Sequence, residues 1–147
     1  MAMADSDRMT PRQSIEAECK RRGKPALTAG CIDLLEGREV DDGLVLALGG
    51  AAAEYVLSGH EGGKSGYWPR VWAARGLLHA WDDSATRAII RAATDDAWRV
   101  REMAAKVVAR HRIDDALSAI ADLQDDPVSR VRSAAGRALV ALTADSS

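Results

Sequence analysis

Residues 58–66 read SGHEGGKSG, and a loop of the form GxxxxGK[ST] would cradle phosphates with its backbone amides. The spacing fails. Counting back from Gly63, Lys64 and Ser65 puts Ser58 where the first glycine belongs, and a helical pattern precedes the loop where the motif needs a strand. The segment is expected to be a flexible connector, long and polar enough to touch a partner. Metal chemistry fares no better, because His60, His79 and His111 have no i, i+4 pairing, no Cys neighbour and no HExxH context. Cys19 and Cys31 fall in separate helical patterns and read as small apolar residues of a reducing cytoplasm. No nucleophile with a recognisable base stands out. Catalytic residues, metal ligands and cofactors are therefore not expected.

Acidic residues come in pairs: Asp41-Asp42, Asp82-Asp83, Asp95-Asp96, Asp114-Asp115 and Asp125-Asp126. Each pair stands just before a helical pattern, where a carboxylate accepts orphan amide protons and meets the positive end of the helix dipole. The sharper signal is aromatic. All four Trp lie between positions 68 and 98. On a helix near 68–81, Val71, Ala74, Leu77, Leu78 and Trp81 share one face, while Trp68, Trp72, Arg75 and His79 fall on the other. That second stripe either meets a partner or packs under an upstream helix.

What would hold these residues is a repeat. RVREMAAKVVARH, from Arg99, returns as RVRSAAGRALVAL from Arg130, a spacing of 31. Shorter runs from Ser84 and Asp114 precede the two copies and superpose at 30, and a fainter third copy places Ala73, Ala74, Leu77, Leu78 and Trp81 30 residues before Met103, Ala104, Val107, Val108 and His111. Self-similarity at this period marks a helical solenoid, in which neighbouring pairs must stack to bury their apolar faces. His111, at the position of Trp81 and Leu142, is expected to be a packed helix-end histidine. Upstream, Thr10 and Pro11 open a helix that Gly23 ends, Pro25 opens a second through Leu35, and Asp41-Asp42 cap a third that Gly49-Gly50 break into a corner. No segment alternates with period two, so the fold is expected to be all-α: a short right-handed α-α solenoid of stacked antiparallel helix pairs spanning 10–147, after a disordered tail over 1–9.

The two strong units, DDAWRVREMAA and DDPVSRVRSAA, resemble HEAT repeats, in particular the bacterial HEAT-like repeats of phycobilin lyases, whose unit has an Asp followed by VRxxAAxAL. Asp96 or Asp95, Val100, Arg101, Ala104 and Val108 fill that pattern, as do Asp126, Val131, Arg132, Ala135 and Leu139. The resemblance covers residues from about 84 to 142. Upstream, the 68–81 helix keeps the Ala-Ala and Leu positions but carries Trp72 in place of the Arg. The resemblance implies that Asp96, Arg101, Asp126 and Arg132 form a structural ladder within the stack. It also implies that the second helices line a concave surface, which makes Gly76, Lys106 and Arg137 one outward column and Trp72, Glu102 and Ser133 another.

Composition bounds the function. With 47% hydrophobic and 29% charged residues over 147 positions the chain reads as a globular domain, and the abundance of Ala and Arg points to a high-GC bacterial genome. The net charge of −2 argues against strong sequence-independent binding of nucleic acid. No apolar run is long enough for a membrane span, nor does the N-terminus read as a signal peptide. The expectation is a cytoplasmic, non-enzymatic module, a monomer or homodimer, that binds a protein or peptide through Trp68, Trp72, Arg75, His79, Glu102, Lys106 and Arg137. Two alternatives stay open: a nucleic-acid binder, since some HEAT-like proteins are DNA glycosylases with Trp and a carboxylate in a basic groove, and a chromophore-lyase accessory role.

Overall fold

In the computed structural model, residues 9–144 are described, and they are helices joined by short turns, with no strand among them. The expected tail over 1–9 lies outside the described residues except for Met9, which is exposed. The chain divides into two compact units, Met1–Ala80 and Trp81–Ser147.

In the first unit, helix α1 (Pro11–Arg22) begins at a capping box: the Thr10 hydroxyl accepts from the Gln13 amide at 3.1 Å, and the Gln13 side chain accepts from the Thr10 amide at 2.9 Å. Gly23 turns the chain into α2 (Lys24–Leu35). The Asp41 carboxylate caps α3 (Asp42–Gly49) by accepting from the Leu44 amide at 2.9 Å, and the same carboxylate receives both terminal nitrogens of Arg22 at 3.0 Å. Arg22 also bonds Glu18, so one guanidinium ties the end of α1 to the start of α3. Gly50, at φ 63°, makes the corner before α4 (Ala51–Leu57), as the glycine pair predicts.

Helix α5 (Tyr67–His79) packs against α1, α2 and α3. Two glycines set how closely it does so. A Cβ on Gly76 would stand 2.8 Å from Cys31 Sγ and from Leu48, and one on Gly49 would stand 2.5 Å from the Trp72 ring. The core between these helices is Ile15, Leu27, Leu44, Val45, Leu48 and Leu77, all fully buried. Burial also pushes the Cys31 thiol up to about 12, as an inert core cysteine requires. The connector at 60–65 forms 3-10 turns held down by Lys64, which donates to Asp42 at 2.8 Å and to the Val40 carbonyl at 3.2 Å.

The second unit is the repeat itself. Helices α6 (Thr86–Ala92) and α7 (Trp98–His111) form one pair, α8 (Leu117–Asp122) and α9 (Ser129–Thr143) the next, and α7 packs along α9. Each short helix is entered through a 3-10 turn, Asp83–Ala85 and then Asp114–Ala116. The buried positions Ala85 and Ile89 recur as Ala116 and Ile120, and Val100, Ala104 and Val107 as Val131, Ala135 and Ala138. The period is thus 31 for short and long helices alike, and the spacing of 30 expected for the short ones is one residue off. Alanine at the buried positions of both long helices lets them pack without large side chains between them.

Candidate functional site

Burial extends the register of 31 to α5, where Pro69, Ala73 and Gly76 are buried like Val100, Ala104 and Val107. This corrects the upstream reading: Arg70, not Trp72, occupies the Arg101 and Arg132 position. All three arginines do the same work. Arg70 donates to the Gly66 carbonyl at 3.2 Å, Arg101 to those of Asp95 and Asp96 at 2.8 and 3.0 Å, and Arg132 to that of Asp126 at 2.7 Å. Each guanidinium thus fastens the turn that leads into its own helix. Aligning Ala73-Ala74 on Ala104-Ala105 reveals this from sequence alone.

Arg101 also reaches forward to the next repeat, donating to Asp126 through Nε at 2.7 Å and through a terminal nitrogen at 3.2 Å. Asp126 at the same time accepts from the Val128 amide at 2.9 Å. Burial opposes ionisation of this carboxyl, but the Arg101 and Val128 hydrogen bonds prevail and hold its pKa below the usual 3.8. The residue equivalent to Asp126 in the preceding repeat is Asp95, which accepts from the Ala97 amide at 2.8 Å. Asp96, expected in the ladder, gives Arg101 only its carbonyl oxygen. Of the four residues expected in the ladder, Arg101 and Asp126 join one repeat to the next, while Arg132 and Asp96 bond within their own turns.

The expected contact residues divide sharply. Trp72 is only 4% exposed and lies over Gly49, so half of the stripe is packing, which corrects its place among partner contacts. Trp68 is half-buried and stacks on Trp72 with ring centroids 6.3 Å apart. Arg75 donates to the Leu48 carbonyl at 2.8 Å, while its Nε is buried without a hydrogen-bond partner, and burial lowers its pKa. His79 is half-buried at the end of α5.

In the second unit Glu102 is 7% exposed and receives Arg130 bidentately at 3.0 and 3.2 Å, with Lys106 Nζ at 3.9 Å. It is a buried counter-ion rather than an outward acid, which corrects its expected role. Arg137 is exposed at the end of the same register column as Lys106. Arg130 was overlooked by the sequence reading, as was the edge it builds: its guanidinium lies 5.1 Å from the Trp98 ring, and that of Arg99 lies 4.4 Å away. The signal was there, since Arg99 and Arg130 are the first arginines of the two RVR copies. Apart from Glu102, the charged side chains along α7 and α9 are all basic, with Arg99 and Lys106 half-exposed and Arg130 and Arg137 exposed.

Two of the three histidines lie against aromatic rings. His111 stacks on Trp81, with centroids 5.0 Å apart, and His60 on Tyr55, at 3.9 Å. Among the described residues no three metal-binding side chains converge. None of the helices described is long and apolar enough to cross a membrane.

Paired helices repeating every 31 residues, each longer helix fastened by an arginine to its preceding turn, define an all-α protein of the HEAT-like class. A family model for HEAT repeats matches residues 66–140, just over half of the sequence, and the chain belongs to that family. No curated protein and no solved structure matches it.

Proposed function

We propose that the protein is a non-enzymatic interaction module that binds a protein or peptide partner through the α7–α9 face of its second unit. HEAT repeats commonly mediate protein interactions, and the coarse reading follows from the family. The finer reading rests on one observation. Glu102, the one carboxylate on α7 and α9, is buried against Arg130, and Asp126 in the turn before α9 is held by Arg101, so the charged groups that flank Trp98 along these two helices are basic. A Trp edge flanked by arginines is the composition of an interface anchor, and an acidic stretch of partner chain complements it. The module is read as cytoplasmic and bacterial.

A basic face also attracts phosphates, and salt dependence separates the two. In the test, tagged full-length protein and the double variant Lys106→Glu/Arg137→Glu are used side by side for affinity capture from the native host, and both are titrated with duplex DNA. The wild type is expected to recover a stoichiometric protein partner, and the variant to lose it while keeping the circular dichroism spectrum of the wild type. A DNA shift at low salt with a steep salt slope, or a partner retained by the variant, overturns the proposal.

A further inference from the structure

The first unit holds a cleft of about 230 Å³ that the interaction face does not use. Its walls are Ala52, Tyr55 and Val56 of α4, Trp68 and Trp72 of α5, and Glu61 from the turn between them. Three of the six are aromatic, and the one charge is negative. Small-molecule pockets commonly span about 300–1,000 Å³, so this one suits a head group rather than a whole drug-sized ligand.

The cleft is pre-organised. Tyr55 is 55% exposed, yet its ring lies flat on His60, 3.9 Å between centroids at 10°, and His60 Nδ1 is fixed 3.1 Å from the Tyr55 carbonyl oxygen and 2.9 Å from Ser58 Oγ. Trp68 is held between Tyr67, at 5.1 Å, and Trp72, at 6.3 Å. Trp72 is fixed in turn by Gly49, whose missing Cβ makes room for the indole. Glu61 sits at φ 54°, ψ 32°, in the left-handed region, within a turn whose glycines at 59, 62 and 63 take such angles freely. A side chain at that position strains the backbone, and this strained turn is what brings Glu61 into the lining of the cleft with Tyr55, Trp68 and Trp72. Among the described residues the Glu61 carboxylate has no hydrogen bond or ion pair, unlike Asp41, Glu18, Glu102 and Asp126.

Three aromatic residues, one acidic residue and no lining cation form a receptor for a weakly hydrated cation. We propose that this cleft binds a methylated ammonium group, with Tyr55 and Trp68 supplying the accessible π surfaces, Trp72 the apolar floor and Glu61 the counter-charge. A bare ammonium would lose hydration that the rings cannot replace, whereas methyl groups fill the apolar walls. An anionic or zwitterionic ligand would place its own carboxylate against Glu61. The group has two sources, a methylated lysine of a partner protein or a free quaternary amine.

The test is a fluorescence titration of the full chain, whose four tryptophans include the two in the cleft. The ligands are choline, its uncharged carbon isostere 3,3-dimethylbutanol, and a lysine peptide with and without trimethylation. Choline or the trimethylated peptide is expected to bind about tenfold or more tightly than its uncharged or unmethylated counterpart. Trp68→Ala and Tyr55→Ala are expected to abolish binding, Tyr55→Phe to retain it, and Glu61→Gln to weaken it severalfold while the circular dichroism spectrum stays that of the wild type. Tighter binding of the trimethylated peptide than of choline assigns the source to a partner protein, and the reverse assigns it to a free amine. Equal binding of choline and the isostere, no binding of either methylated probe, or a Glu61→Gln variant with unchanged affinity overturns the proposal. Lys106→Glu/Arg137→Glu leaves this binding untouched, which keeps the outcome separate from that of the interaction face.

Discussion

Side chains of one type take opposite roles here according to what lies behind them. Trp68 and Trp72 are one helical turn apart on α5 and stack on each other, yet Trp72 meets Gly49 and is buried while Trp68 keeps an open side. Removing the buried indole leaves a cavity that the closely packed α3 backbone closes only in part. Trp72→Ala is therefore expected to cost about 3–5 kcal/mol of unfolding free energy, and Trp68→Ala distinctly less, as measured by urea denaturation of both variants. An equal cost for the two would mean that Trp68 is as much a core residue as Trp72. The sequence identified the stripe Trp68, Trp72, Arg75 and His79 correctly as one helical face. Its fate was hidden, because burial of that face depends on Gly49, 23 positions from Trp72 in sequence and not linked to it by any period. The acid Glu102 misleads for a similar reason: its partner Arg130 belongs to the next repeat, and only the stacking of α7 on α9 brings the two within 3.0 Å.

Elements were far more legible than contacts. Thr10-Pro11, Asp41 and the Gly49-Gly50 corner could be read from caps and breakers, since these act within a few residues of their own backbone. The register of the third copy could not, because sequence similarity fades there while the buried positions Pro69, Ala73 and Gly76 persist. At this scale the more deeply buried of the two ion pairs that join the repeats is Arg101–Asp126, with side chains 15% and 5% exposed, against 63% and 9% for Arg130 and Glu102. Asp126 does two things at once, capping the turn before α9 and pairing with α7, and substitutions separate them. Asp126→Ala removes both the acceptor for Val128 and the counter-ion, stranding a largely buried guanidinium, and is expected to cost about 3–5 kcal/mol. Asp126→Asn keeps an acceptor for Val128 and is expected to cost clearly less. Chemical denaturation of both variants measures the difference; identical losses would show that the charge, and not the cap, carries the joint.

For the whole chain, a net charge of −2 conceals a division of labour among its acids. Several carboxylates are bound into the fold. In the first unit, Glu18 is held below its usual 4.5, chiefly by the Arg21 hydrogen bond with Arg22 adding to it against burial, and Asp41 is held at about 2, chiefly by Arg22. In the second, Asp126 is depressed by Arg101. Each is protonated more readily in the unfolded chain than in the folded one. As pH falls, the unfolded state takes up the extra protons, so the stabilisation these groups provide is fully present above about pH 5 and drains away as pH falls from there towards 2. Asp41 is mostly solvent-exposed, so solvent screens its contribution, and the larger effect is expected from the buried Glu18 and Asp126. Thermal melts between pH 7 and pH 3 are thus expected to show a falling melting temperature that begins near pH 5. Because the two units carry separate depressed carboxylates, Asp126→Asn should flatten the acid dependence only in part, leaving the portion that Glu18 and Asp41 supply. A variant with no acid dependence left would show that the first unit contributes none, and a wild type whose melting temperature rises on acidification would contradict the direction of all three shifts.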